Sequence, residues 1–329
     1  MKGIIDLNGD LKERKQVVVI IETLVYLLII TFTVIGNSCV LLAVYKNARL
    51  RTIPNFFIVI LAVSDILLPL TCAPQSIVTT ILGRWPFNEY VCQAQGYFVI
   101  VMACASLQTL TLTAINRFYR IVRTRHYRRV FTKKNTIIMI ALCFGLACLE
   151  PIPYLSSGRR YVFHPGKLFC FQTNEISVPH FIVYLYVGVP TVTLSICYLL
   201  VFKKLRGQQR TVQNNLHLAS KSEEISQRDV RVTKILFITV LGFLTCWTPI
   251  AIIDFVDTFR GEASFPREVY YFYLLLGNLS GCINPIVYGL LNKNFRDEYK
   301  NLCFCTTRRQ RIVNVQESST IASLKTSSL

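Results

Sequence analysis

Charge is what this chain has least of. Only 16% of its 329 residues are Asp, Glu, Lys or Arg, against about 25% in ordinary soluble domains. With 52% hydrophobic residues, that shortage excludes a soluble globular fold. Acids are the scarcer sign, 18 against 36 Lys and Arg. Histidine is nearly missing too: His126, His164, His180 and His217 all sit in loops or at the edges of apolar runs. With so few histidines, and no Cys-x-x-Cys pair among 12 cysteines, neither a zinc site nor an intramembrane enzyme is expected. No internal repeat is visible, which argues against the inverted repeats of secondary transporters.

What the chain has instead is long apolar runs. Seven stretches, near 17–45, 54–82, 89–122, 133–155, 178–205, 228–258 and 266–291, each exceed the roughly 20 residues needed to cross about 30 Å of hydrocarbon. The fold class expected is all-α, a seven-transmembrane helix bundle with a short C-terminal interfacial helix. Residues 1–16 then form an extracellular N-terminus, 17–291 the bundle, 292–305 the interfacial amphipathic helix and 306–329 a flexible cytoplasmic tail. No leader peptide is expected, because Met1 to Lys15 is polar and the first apolar run is too long for one. The orientation comes from the cations. The first, third and fifth connections and the tail hold 26 of the 36 Lys and Arg, which the positive-inside rule puts in the cytoplasm. The +18 net charge does not imply nucleic acid, since the cations flank apolar runs instead of striping a soluble domain. Eight of them lie between Arg117 and Lys134 without an acid, a face suited to anionic lipid and to an acidic partner.

Three motifs sit at set depths in these runs. Arg117 ends the third, within Thr113-Ala114-Ile115-Asn116-Arg117-Phe118-Tyr119; Cys246-Trp247-Thr248-Pro249 lies inside the sixth; Asn284-Pro285-Ile286-Val287-Tyr288 closes the seventh. Together they resemble the rhodopsin-like class of G-protein-coupled receptors. Ala114-Ile115-Asn116-Arg117, with Asn where many relatives carry Asp, and the stretch Tyr288 to Lys300 are similar to melatonin receptors. The resemblance implies a plasma-membrane receptor, not an enzyme. It would bind a small neutral, melatonin-like extracellular ligand and activate a heterotrimeric G protein of the inhibitory type. A peptide-activated receptor of the same class is the alternative, and a polytopic transporter a more distant one. Opsins hold retinal through a seventh-span lysine, where Asn278 stands here; amine receptors use a third-span Asp, where Val99 stands. Tyr186 and Ile152 replace a histidine and an asparagine of melatonin receptors, so the ligand contacts must differ.

The resemblance also assigns roles. Gln95, Val99, Ala103, Tyr186, Trp247, Asp254, Tyr271 and Asn278 are the positions expected to face an apolar, aromatic pocket. Phe243, Trp247, Pro249, Asn284, Pro285 and Tyr288 would form the activation switch. An Asp229–Arg117 bond would hold the inactive state, with Tyr198 and Tyr288 turning inward on activation. Asn116, being neutral, would restrain Arg117 less than an Asp. Asp65 is a charge within hydrocarbon and therefore expensive. With Asn37, Ser106, Asn278, Ser280 and Asn284 it would hold an allosteric sodium ion, or serve a purely structural hydrogen-bond network; no other cofactor is expected. Cys92 and Cys170 would pair as a disulfide on the extracellular side, which is oxidising. Cys303 and Cys305 are either palmitoylated, anchoring the interfacial helix to membrane lipids, or free thiols. Phe295, Tyr299 and Leu302 of that helix are expected to face lipid. Tail serines and threonines from Ser318 to Ser328 would recruit arrestin once phosphorylated.

Overall fold

A bilayer offers no water to satisfy backbone N–H and C=O groups, so an apolar run must satisfy them within itself as a helix. All seven runs do so, as helices of 23 to 33 residues. The computed structural model describes residues 2–173, 178–214, 227–261 and 263–303. In chain order the elements are α1 (Lys2–Lys12), α2 (Gln16–Lys46), α3 (Ile53–Leu82), α4 (Glu89–Ile121), α5 (Thr124–Val130), α6 (Lys133–Leu149), α7 (Ile152–Ser156), β1 (Val162–His164), β2 (Phe169–Phe171), α8 (Val178–Asn214), α9 (Gln227–Arg260), α10 (Arg267–Leu291) and α11 (Lys293–Cys303). The spanning helices are α2, α3, α4, α6 with α7, and then α8, α9 and α10. Local chemistry sets several boundaries. Asn88 and Thr132 accept from backbone N–H groups three residues on and start α4 and α6. Gly83, at a left-handed φ of 65°, stops α3. Pro190, Pro249 and Pro285 lie inside continuous α8, α9 and α10.

α4 runs through the middle of the bundle and packs on α3, α6 and α8. Around it the outer faces stay apolar: Leu24, Leu28 and Phe32 of α2, or Leu142 and Leu146 of α6, are exposed. A helix apolar on its outer face as well as its inner one needs lipid around it, and the chain is a multi-pass membrane protein. Close approach of α10 to α2 and α3 depends on Gly281, where a Cβ would meet Thr33 Cγ2 at 2.9 Å and the Asp65 side chain at 3.3 Å.

One end of the bundle is closed by an antiparallel hairpin, β1 on β2, with Val162 opposite Phe171 and His164 opposite Phe169. The Cys92–Cys170 disulfide fastens it to the first turn of α4. At the same end α1 is a helix where the sequence suggested only a polar terminus. Leu7 and Leu11 are buried in a cluster with Tyr270, Tyr273 and Phe169. Arg14 ties the segment down by pairing with Glu22, which also takes Arg267 at 2.7 Å.

The opposite end carries α11. It forms as expected, but its aromatic face points the other way. Phe295 is fully buried, with its ring 5.7 Å from Tyr288 and 6.2 Å from Tyr299. The lipid-facing assignment of Phe295 and Tyr299 is therefore corrected: the helix folds back, and its aromatic stripe finds the end of α10 before it reaches lipid. Nearby, α8 continues to Asn214, beyond residue 205, where the fifth apolar run ends. The Cys303 side chain, Cys305 and the tail phosphorylation sites lie outside the described residues.

Candidate functional site

Below the hairpin the spanning helices enclose a cavity of about 620 Å³. Val99 and Ala103 of α4, Trp247 and Asp254 of α9 and Asn278 of α10 line it, with Phe169, Phe171 and Gln172 covering it from the hairpin. Three other predicted positions do not reach it. Tyr271 and the cavity-lining Tyr273 are two residues apart on one helix, about 200° around its axis. Tyr271 accordingly faces α2 and donates to the Glu22 carbonyl at 2.7 Å. Tyr186 is turned outward by the same logic, because Val187, Gly188 and Thr191 take the cavity face of α8. It lines a separate groove with Gln108 and Pro190. Gln95 sits a turn closer to the hairpin than Val99 and is consumed structurally. Its amide donates to the Cys72 carbonyl at 3.0 Å and accepts from the Cys170 N–H at 2.9 Å, stitching α3, α4 and β2 together.

The chemistry at the mouth comes from a loop residue that sequence reasoning passed over. Lys167, wholly buried, reaches from the hairpin turn to Asp254, with Nζ 2.7 Å from Oδ1. Its ammonium lies 4.2 Å from the Phe171 ring centre and 4.7 Å from that of Tyr273. The Tyr273 hydroxyl donates to the other Asp254 oxygen at 2.9 Å. Asp254 is thus neutralised within the protein. The turn can sit this low because Gly166 lies against Tyr270, where a Cβ would approach to 2.6 Å. His164 supports it, accepting the Lys167 backbone N–H on Nδ1 at 3.2 Å beside the Tyr270 ring. Burial, and then the Lys167 charge, hold the His164 pKa well below its ordinary value.

A second acid escaped the sequence reading, which singled out Asp65 as a charge within hydrocarbon. Glu150 caps α6, is fully buried and lines the cavity. Neither of its carboxyl oxygens has a hydrogen-bond partner among the described residues. It was missed although it falls within the fourth apolar run, 133–155, because the sequence does not show which side of the helix meets a cavity.

Beneath the cavity the stacked pair Phe243 and Trp247, ring centres 5.4 Å apart, lines both the large pocket and a small one of about 10 Å³ below it. Asp65, Ser106, Asn278 and Ser280 surround that lower space. Asn284 donates to Asp65 at 2.7 Å and Trp247 Nε1 donates to Ser280 at 3.2 Å. Asn37 is not part of this set: its amide donates to the Thr33 and Gly281 carbonyls. The lower space thus sets a buried carboxylate beside hydroxyl and amide side chains.

At the α11 end Arg117 is 1% exposed and donates to the Asn116 side-chain oxygen. Asn116 therefore does restrain it, despite its neutrality. The expected Asp229–Arg117 bond is absent among the described residues. Asp229 binds Arg120, through Nε at 3.2 Å and Nη2 at 3.1 Å, and Arg120 also covers the Tyr127 ring at 5.1 Å. The reason is depth: Asp229 opens α9 at the rim, level with the half-exposed Arg120, whereas Arg117 lies a turn further in. Tyr198 and Tyr288 are both buried there, Tyr198 against Phe237 and Tyr288 against Phe295.

Comparison with known proteins bears on what such an arrangement does. The family model described as 7 transmembrane receptor (rhodopsin family) matches residues 36–288. Melatonin receptor type 1A of Mus musculus is 27% identical over 296 residues, 87% of this chain and 82% of that one. Melatonin receptor type 1B-B of Danio rerio is 29% identical over 274 residues, covering 81% and 76%. Melatonin receptor type 1C of Gallus gallus is 26% identical over 302 residues, covering 90% and 86%.

Proposed function

The chain belongs to the rhodopsin family of seven-transmembrane receptors, and on that premise we propose that it binds a small ligand of melatonin-like size beneath the hairpin and activates a heterotrimeric G protein, of the inhibitory type, at the Arg117 end. The observation that carries this reading is the apolar cavity of about 620 Å³ roofed by a hairpin that a disulfide ties down. A drug-sized ligand is usually held in an apolar enclosure of this volume with a few placed polar groups. The hairpin end is extracellular in this reading. Its disulfide suits an oxidising compartment, and the excess of cations lies at the other end. The stacked Phe243–Trp247 pair separates the pocket from the polar set around Asp65, which supplies the route from ligand to switch.

The test is a melatonin dose–response read as G-protein dissociation, in cells with verified surface expression. A saturable response lost in Arg117→Ala supports the reading, and a flat response removes melatonin as the ligand. Asp65, Ser106, Asn278, Ser280 and Asn284 would hold a sodium ion in the lower cavity, where the ion would offset the buried carboxylate's charge.

A further inference from the structure

We infer that the pocket takes an organic cation, with Glu150 as the anchor for a protonated amine on a ligand whose apolar body fills the cavity. The inference rests on the ligand-pocket reading above and names the chemistry of what enters it. It replaces the neutral ligand expected when no deep unpaired charge was visible in the sequence.

Five acids among the described residues are buried or reach the cavity, and four have partners. Glu22 takes Arg14 and Arg267; Asp65 takes Asn284; Asp254 takes Lys167 and Tyr273; Asp257 takes Tyr270 at 2.8 Å and the Ser264 N–H at 3.0 Å. Glu150 alone has none, although it is fully buried. Burying a carboxylate without a donor is one of the most costly arrangements a fold can hold. Among the described residues no donor or cation meets that cost. Lys167, the buried cation at the cavity mouth, is committed to Asp254, and the Glu150 backbone N–H already bonds to Leu146 at the end of α6 without this side chain. The Tyr161 hydroxyl, also buried and without a partner, lies close enough that the Glu150 charge adds to the effect of burial in raising its pKa. Two unsatisfied side chains near one another, with Glu150 lining a large apolar cavity, mark a place for an N–H donor that the described residues do not supply. An ammonium supplies up to three such donors together with the missing charge. The site is distinct from a third-span anchor, because the α4 residues lining the same cavity, Val99, Ile100, Ala103, Cys104 and Leu107, include no acid.

The experiment uses the full chain, purified into nanodiscs, and matched probes that differ only in charge: 5-methoxytryptamine and tryptamine against their N-acetyl counterparts, melatonin and N-acetyltryptamine. Melting temperature is followed as each is titrated. The wild type is stabilised at lower concentrations by the amines than by the acetylated partners. Glu150→Gln weakens the amines about 100-fold, the loss that accompanies removal of one partner of a buried charge pair, and leaves the neutral probes unchanged. Should Glu150→Gln fold poorly, Glu150→Leu removes the charge with an apolar side chain of similar reach and must give the same selective loss. The inference is overturned if neither amine shifts melting more than its acetylated partner, or if the preference survives both substitutions. Nucleotide exchange on added G protein, with and without Arg117→Ala, is measured alongside. Exchange that depends on Arg117 while the amines fail removes the cation and leaves the receptor reading intact. Exchange indifferent to Arg117, with no probe of either kind acting, removes both.

Discussion

Arg120 and Asp229 form the ion pair that spans α4 and α9 at the cytoplasmic rim proposed above, with side chains 41% and 20% exposed. A pair this exposed is screened by solvent and is worth little as stability, within about 1 kcal/mol. Its value lies in joining two helices that separate if a partner is to reach Arg117. Asp229→Asn should therefore raise basal G-protein activation severalfold with little change in melting temperature. Arg120→Asp combined with Asp229→Arg should return it toward wild type, and equal basal activity in all three proteins would contradict the assignment. The residue actually paired was not legible in the sequence. Arg117 and Arg120 stand about one turn apart on α4, and only that difference in depth decides which of them meets Asp229. Arg117 instead satisfies part of its guanidinium on Asn116.

Among the elements, the hairpin shows most clearly where sequence reading stops. Spans were legible because an apolar run longer than a bilayer has one stable backbone solution, and apart from the longer C-terminal end of α8 the observed spans fall within a few residues of the expected ones. The hairpin and α1 are short, mixed in composition and held by contacts distant in sequence. Lys167 meets Asp254 across 87 positions, and no local pattern announces that. The same contact makes the hairpin sensitive to acid. His164 carries a folded pKa below its unfolded one because burial and Lys167 disfavour the cation. Above pH about 6.5 both states are neutral and His164 contributes no pH dependence. Below it the unfolded chain takes up a proton that the folded hairpin refuses, so stability falls by up to about 1.4 kcal/mol per pH unit until the folded pKa is reached. Protonation would also remove the Nδ1 acceptor from the Lys167 N–H. Melting temperature should decline between pH 6.5 and 5 in the wild type and decline less in His164→Asn, which keeps an acceptor but cannot titrate in this range. An identical slope in the two proteins would assign the acid sensitivity elsewhere.

At the scale of the whole molecule, two cavities lie in line between the hairpin and the buried arginine, divided by Phe243 and Trp247. That arrangement gives an ion in the lower cavity a way to bias the bundle. If sodium occupies it, raising Na⁺ at constant ionic strength against N-methylglucamine should raise the melting temperature by mass action. Asp65→Asn should abolish the dependence, and a wild type indifferent to Na⁺ would leave the structural hydrogen-bond network as the role of these residues. The seven-helix architecture and most of this axis were visible in the motifs around Asp65, Trp247 and Asn284. Glu150 was not, because only the folded bundle shows that this acid within the fourth run lies over a cavity.

The central claim is that the bundle transmits a signal from the pocket to Arg117. Its most direct test compares wild type and Arg117→Ala at matched surface density, with G-protein dissociation followed as melatonin and 5-methoxytryptamine are titrated. The account predicts a saturable response to at least one probe in the wild type and none in the variant. Responses of equal size in both proteins, or dissociation no greater than in cells carrying empty vector, would contradict it.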